Sequence, residues 1–321
     1  MPQLFTERRS FLWFDSELHP SYRTSAFLTD GWNMCNITLR QNGTETRNPT
    51  YAVVFGSVIA VGLPLNAVAL WILVRCHSLK SPSVVFMVNL VVSDLLLVIS
   101  LPMRVYFYAT GSWPSSNFAC IFTTMLFRNN IRSSAFFITF ICVDRLLAVV
   151  YPLRSRHVRT SSNAWRAAAF VWLLVLVMNI PESVIFSRFL NSYPEPSCFE
   201  FQCPQRSALH FIQPVLVLSM LTVNIVCTAL VSLTLQRHLN DSARVNNKVN
   251  VMLIFVMNLI MFMVFFLPVT LGILIQSWRP FLTPLVCVAS VNCCLDPLLY
   301  YFSFDGFWRR KEDVDSSLGR D

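Results

Sequence analysis

The chain has 321 residues, of which 55% are hydrophobic and 13% charged, and 27 of them are phenylalanine. A soluble domain of this size could not bury so much apolar surface, so the composition predicts a membrane protein. The net charge of +8 does not indicate nucleic-acid binding, because lysine and arginine gather in short segments beside apolar runs. With only 8 glycines, the composition also argues against glycine-rich phosphate loops and against a transporter with many broken helices.

The first 49 residues are polar and precede the first long apolar run. They are mixed in charge and lack the apolar core and cleavage site of a signal peptide. Asn36 and Asn42 each begin an Asn-X-Thr triplet, the acceptor pattern for N-glycosylation. Two acceptors ahead of a first apolar span predict that residues 1–49 form a glycosylated extracellular segment.

Seven apolar runs follow, each long enough to cross a bilayer as a helix. They lie at about 51–75, 84–109, 118–150, 165–187, 208–236, 248–277 and 281–303. Lysine and arginine are concentrated after spans one, three, five and seven, which predicts that these segments face the cytoplasm. The predicted fold is therefore all-α: a seven-transmembrane helix bundle over 50–303 and a short cytoplasmic tail, 304–321, that begins with a short amphipathic helix.

Three arginines lie in the outer halves of the predicted spans. Arg104 is in span two, and Arg128 and Arg132 are four residues apart in span three, so they share one helix face. A charge at the bilayer centre costs about 2.5–3.5 kcal/mol, which makes such arginines candidates for function. Guanidinium groups suit phosphate, and we expect the three to converge on an anion site. The alternative is neutralisation by a buried acid, for which Glu182 is the outer candidate.

The polar residues inside the spans occur in an order that resembles the rhodopsin-like (class A) G-protein-coupled receptors. The motifs that carry this resemblance are Asn66, Asn89–Asp94, Asp144-Arg145, Trp172, Phe262–Pro268 and Asp296–Tyr300. The residue types at Phe266 and Asp296 resemble those of one branch of the family, the nucleotide and lysophospholipid receptors. Within that branch, Gly62–Trp71, Cys198–Glu200 and Asn292–Ser303 resemble the lysophosphatidic acid receptors.

The resemblance implies a plasma-membrane receptor that signals through heterotrimeric G proteins, binds arrestin and has lysophosphatidic acid or a related lysophospholipid as its ligand. Arg104 matches a position at which such receptors hold the phosphate, whereas Arg128 and Arg132 are supported by physical reasoning alone. A nucleotide, carboxylate metabolite or peptide is the alternative ligand. An anion transporter or channel is a remote alternative, because no repeats are found. An enzyme is not expected, since no HExxH or GxSxG motif occurs.

The same resemblance implies an activation switch and an ion site. Asp144 and Arg145 are expected to form an intrahelical pair that holds the inactive state. The remaining switch residues are Phe262, Phe266, Pro268, Asp296, Pro297 and Tyr300. A lone carboxylate such as Asp94 needs a cation or a proton inside a membrane. The residues that surround sodium beside it in this family correspond to Asn130, Ser134, Asn292 and Asp296. The alternative is a hydrogen-bonded water cluster without an ion.

Four cysteines, Cys35, Cys120, Cys198 and Cys203, fall in predicted extracellular positions, where disulfides form. Four cysteines allow three pairings, so the sequence alone leaves the connectivity open. The resemblance implies a bridge between Cys120 and Cys198, which leaves Cys35 to pair with Cys203.

Overall fold

Seven helices cross the bilayer region of the molecule. The computed structural model describes residues 47–75, 77, 79–192, 198–199, 209–237 and 245–298. Six helices in these ranges are long and apolar enough to span a membrane, and the seventh apolar helix, Leu282–Leu298, is shorter. The predicted seven-helix bundle is thus confirmed. The N-terminal segment, the glycosylation acceptors Asn36 and Asn42, and the tail lie outside the described residues.

Spans one to five are continuous helices. They run over Pro49–Arg75, Pro82–Thr110, Asn117–Val150, Ser161–Ser192 and Leu209–Arg237. Local sequence sets the bounds: span two starts with a proline, whose missing N–H costs nothing in the first turn, and ends at Gly111 in the left-handed conformation (φ 75°). Span three starts where the Ser116 hydroxyl accepts a hydrogen bond from the Ala119 amide, 3.3 Å away.

Span six is a single apolar run in the sequence but is interrupted in the structure. It consists of Val245–Met261, a π-helical turn over Phe262–Phe266, and Leu267–Leu274. Pro268 explains the wider turn, because it has no N–H to donate and its ring clashes with the preceding turn of a regular helix. The rings of Phe262 and Phe266 pack together inside this turn, with their centres 5.2 Å apart.

Span seven is also divided into two pieces. Its outer piece is Leu282–Ser290, a turn follows at Val291, and helix resumes over 292–298. Asp296 and Pro297 lie in this last described piece, whereas Tyr300 lies outside the described residues.

Polar side chains fix the helices to one another. The Asn66 amide of span one donates to the Cys293 carbonyl of span seven at 2.7 Å. The two helices approach so closely that a Cβ at Gly62 would lie 3.1 Å from the Cys293 sulfur. The Trp172 indole of span four donates to the Asn89 side chain of span two at 2.9 Å. Such bonds between buried groups fix which helix faces meet.

A disulfide joins Cys120, in the first turn of span three, to Cys198, in the connection between spans four and five; their Cα atoms are 5.9 Å apart. This is the pairing that the family resemblance implies. Cys35 and Cys203 lie outside the described residues, so their pairing stays a prediction. We call the Cys120 end of the bundle the outer end and the Arg145 end the inner end, after the orientation expected from the sequence.

We expect Cys198→Ser to lower the melting temperature of the detergent-solubilised protein. The bridge closes a loop with a sequence separation of 78 residues, and the chain-entropy model assigns such a loop about 4.5 kcal/mol. Cys294→Ser, at a half-buried cysteine outside any disulfide, is the control. Equal melting of the two variants would show that the bridge contributes no stability.

Candidate anion-binding site and inner switch

Arg104 is a fully buried cation near the outer end of span two, with only 1% of its surface exposed. Its guanidinium carbon lies 4.2 Å from the ring centres of both Phe127 and Phe199, one on span three and one beside the disulfide. Its Nε and Nη2 atoms are buried and donate to no partner among the described residues. The rings offset part of the desolvation cost through cation–π attraction, but the unpaired N–H groups still lack an acceptor.

Phe199 covers this arginine from the connection between spans four and five. It is buried, and its ring packs edge-on against Phe107 and Trp113, 5.4 Å away in each case. Its backbone is left-handed (φ 72°), a strained conformation for an aromatic residue that surrounding contacts must hold in place. The adjacent Cys198 supplies such a constraint through its disulfide. Sequence reasoning missed Phe127 and Phe199 as neighbours of Arg104, because no motif records contacts across helices.

Arg128 and Arg132 both contact the acid considered from the sequence. Arg128 Nη1 lies 3.1 Å from Glu182 Oε2, and Arg132 Nη2 donates to Glu182 Oε1. Arg132 also donates to Asn179 at 2.7 Å and to Gln213 at 3.0 and 3.2 Å. The neutralising acid is therefore present, and Arg132 is held by spans four and five.

Arg104 packs against Phe127, the residue that precedes Arg128 in span three. The predicted cations therefore lie in one region of the bundle but in different chemical states. Arg104 has unpaired donors, whereas Arg128 and Arg132 share a carboxylate. Their part in ligand binding stays a prediction.

A cleft opens beside Arg132 between spans three, four and five. Apart from Arg132 and Gln213, its lining is apolar. The apolar residues are Ala135, Phe136, Met178, Leu216, Val217 and Met220. The cleft thus joins a polar head to a hydrophobic wall.

Two carboxylates lie side by side in the middle of the bundle, those of Asp94 in span two and Asp296 in span seven. The Asn130 amide donates to Asp94 at 2.9 Å and to the Ser134 hydroxyl at 3.1 Å, and the Asn292 amide donates to Asp296 at 2.7 Å. One carboxylate oxygen of each aspartate and the Asn292 amide oxygen are buried without a hydrogen-bond partner among the described residues. Such an excess of hard oxygen acceptors fits a sodium ion.

At the inner end, Asp144 is paired differently from the prediction. Its carboxylate accepts hydrogen bonds from the Arg159 guanidinium at 2.8 and 3.2 Å and from the Ser83 hydroxyl. Among the described residues, Asp144 therefore forms its ion pair with Arg159. The intrahelical pair with Arg145 expected from the sequence is therefore wrong. Successive residues of a helix point in different directions, so a residue of the following connection can reach Asp144 better than its neighbour can.

The spans and their polar residues match the sequence model of the 7 transmembrane receptor (rhodopsin family) over residues 65–300. The chain therefore belongs to the rhodopsin family of seven-transmembrane receptors. This membership confirms the resemblance drawn from the motifs and the prediction of a receptor rather than an enzyme.

Within this family the chain is similar to the lysophosphatidic acid receptors. It is 32% identical to lysophosphatidic acid receptor 6 of Gallus gallus over 79% of this chain and 90% of that protein. It is also 32% identical to receptor 4 of Homo sapiens (79% and 74% covered) and to receptor 5 of Mus musculus (84% and 78% covered). A particular likeness to the type 5 receptor, predicted from the three stretches quoted above, stays a prediction, because receptors 4, 5 and 6 match this chain at the same identity.

We expect Arg159→Gln to lower the melting temperature, because it leaves the Asp144 carboxylate, 4% exposed, with a hydroxyl as its hydrogen-bond donor. Removing one partner of a buried charge costs about 1–3 kcal/mol, at the lower end here because Arg159 is itself 25% exposed. Arg156→Gln, at an exposed arginine of the same connection, is the matched control. Equal melting of the two variants would contradict a stabilising pair.

Proposed function

We propose that this chain is a plasma-membrane receptor for lysophosphatidic acid or a related lysophospholipid and signals through heterotrimeric G proteins. The observation that carries the proposal is the buried guanidinium of Arg104, whose Nε and Nη2 atoms have no hydrogen-bond partner among the described residues. A buried cation without an acceptor raises the energy of the ligand-free receptor, and an anion that reaches it recovers that energy. The three relatives described above, which are named as receptors for lysophosphatidic acid, support the same ligand class.

The phosphate of such a ligand approaches Arg104 along the plane of the guanidinium. The ring centres of Phe127 and Phe199 each lie 4.2 Å from its guanidinium carbon, and the N–H groups would be the atoms that bind the phosphate. Paired hydrogen bonds from one edge of a guanidinium to two phosphate oxygens are directional as well as strong. A carboxylate offers two oxygens but less charge, and it defines the alternative ligand class.

The acyl chain of the ligand would enter between spans three, four and five only if the cleft there widens, because its volume of about 10 Å³ holds about one water molecule. Its apolar wall, which includes Phe136, Leu216 and Met220, provides the surface that an alkyl chain needs. Arg132 and Gln213 at its head place polar groups beside this wall. A ligand with a charged head and a long apolar tail therefore fits better than a purely polar anion.

Ligand binding acts by shifting an equilibrium between inactive and active arrangements of the bundle. Phe262, Phe266 and Pro268 lie at the interruption of span six, where a helix bends more easily than in a regular turn. At the inner end, Arg145 and the basic connections are the surface for the G protein and for arrestin. The ion pair of Asp144 with Arg159 holds the second inner connection until that surface is used.

A sodium ion held by Asp94, Asn130, Ser134, Asn292 and Asp296 would act as an allosteric modulator. Its single positive charge would offset one of the two neighbouring carboxylate charges. Oxygens of Asp94, Asp296 and Asn292 that have no hydrogen-bond partner among the described residues would be available to such an ion.

We expect Arg104→Gln to reduce the potency of lysophosphatidic acid in a G-protein activation assay by roughly ten- to a hundredfold, because a charged hydrogen bond to phosphate contributes about 1.5–3 kcal/mol. Arg47→Gln, at an exposed arginine just before span one, is the matched control. Surface expression of each variant is measured in parallel. A response of Arg104→Gln equal to that of the control would refute the phosphate contact.

We expect sodium to raise the melting temperature of the wild-type receptor more than choline does at equal ionic strength, because an ion that binds only the folded state stabilises it. Asp94→Asn should abolish the difference. Equal effects of sodium and choline on the wild type would show that the oxygens hold no ion.

A further inference from the structure

Glu182 is the acid that stands among the arginines of the proposed ligand site. Its two carboxylate oxygens are divided between two cations, with Arg128 on one and Arg132 on the other. One quarter of the Glu182 side chain is exposed, and the same fraction of Arg128. A ligand in the site would therefore meet this carboxylate as well as the cations.

The position of Glu182 is fixed by a network and not by one contact. Arg132, 3% exposed, is held by Asn179 of the same helix as Glu182 and by Gln213 of span five, at 2.7 to 3.2 Å. With Arg132 anchored on two helices, the carboxylate bound to it has little freedom to swing out of the site. Glu182 is thus a fixed negative charge.

This fixed charge sets the net charge of the site. Among the described residues, Arg104, Arg128 and Arg132 contribute three positive charges and Glu182 one negative charge, which leaves a net charge of +2 for these four side chains. A phosphate monoester carries about −1.5 to −2 at neutral pH, so its charge matches that of the site. A diphosphate or triphosphate brings more negative charge than the cations can balance.

We infer that Glu182 is a specificity-determining residue, which admits a phosphate monoester and rejects diphosphate and triphosphate headgroups such as those of nucleotides. This inference rests on the proposed function and deepens it. The mechanism is repulsion: a second phosphate close to a fixed carboxylate gains no hydrogen bond from it and loses hydration. Because the site is only partly exposed, solvent screens this repulsion less than it would on an open surface.

The test compares two ligands that differ only in the number of phosphate groups in the headgroup. One is oleoyl-lysophosphatidic acid, and the other is the same glycerol lipid carrying a diphosphate. Their affinities are measured by displacement of radiolabelled lysophosphatidic acid from membranes that contain the full-length receptor. The quantity of interest is the ratio of the two affinities, which is independent of the amount of folded receptor.

For Glu182→Gln we expect the affinity ratio to shift towards the diphosphate by about tenfold or more, the effect of removing one nearby like charge. Glu182→Asp keeps the charge and should keep the wild-type preference. The double variant Glu182→Gln with Arg132→Gln restores the net charge of +2 while removing the ion pair, so it should return the ratio towards the wild-type value. Arg128→Gln, with one cation fewer, should shift the ratio in the opposite direction.

Opposite shifts in Glu182→Gln and Arg128→Gln support a role for charge, since a merely structural role of the ion pair would lower both affinities together and leave the ratio unchanged. An unchanged ratio in Glu182→Gln overturns the inference. If Glu182→Gln fails to reach the membrane, Arg128→Gln and the double variant still decide: a ratio that does not move in Arg128→Gln overturns the inference. A wild-type receptor that binds neither lipid would refute the proposed function itself.

Discussion

The placement of charge inside an apolar bundle is the constraint on which the rest of the structure depends. In a bilayer, each buried cation or carboxylate must find a counter-charge, a hydrogen-bond partner or an aromatic face. The chain meets this requirement at three levels: arginines with Glu182 near the outer end, carboxylates with amides in the middle, and Asp144 with Arg159 at the inner end. Each level joins different spans, so the charges also determine how the helices are arranged.

Arg104 is the exception among these charges. Its partners in the described part of the chain are aromatic rings, which attract a cation but accept no conventional hydrogen bonds. A group left in this state lowers the stability of the ligand-free protein and is retained where it contributes to binding. The contrast with Arg132, which is held by three polar side chains, distinguishes a cation suited to a ligand from one that supports the fold. Burial alone does not make this distinction, because both arginines are buried.

Much of the fold could be predicted because hydropathy and motif order are properties of the sequence itself. The spans follow from hydropathy and the family from the order of the motifs, and the Cys120–Cys198 bridge is what the resemblance to that family implies. The pairing of Asp144 could not be predicted, since it depends on where a connection folds back, and the state of Arg104 depends on rings from two other segments. The sequence identified Glu182 as a candidate partner of the arginines in span three. Whether it neutralises them could be decided only from the distances between its carboxylate and Arg128 and Arg132.

The π-helical turn over Phe262–Phe266 has a consequence for comparing this receptor with its relatives. A wider turn accommodates one residue more than a regular helical turn, and one residue corresponds to about 100° of rotation in an α-helix. The faces of Leu267–Leu274 are therefore turned relative to those of an uninterrupted helix with the same inner half. In a relative without this turn, a residue aligned with one of Leu267–Leu274 would face a different neighbouring helix. The residue that faces the same neighbour would be one position earlier or later in the alignment.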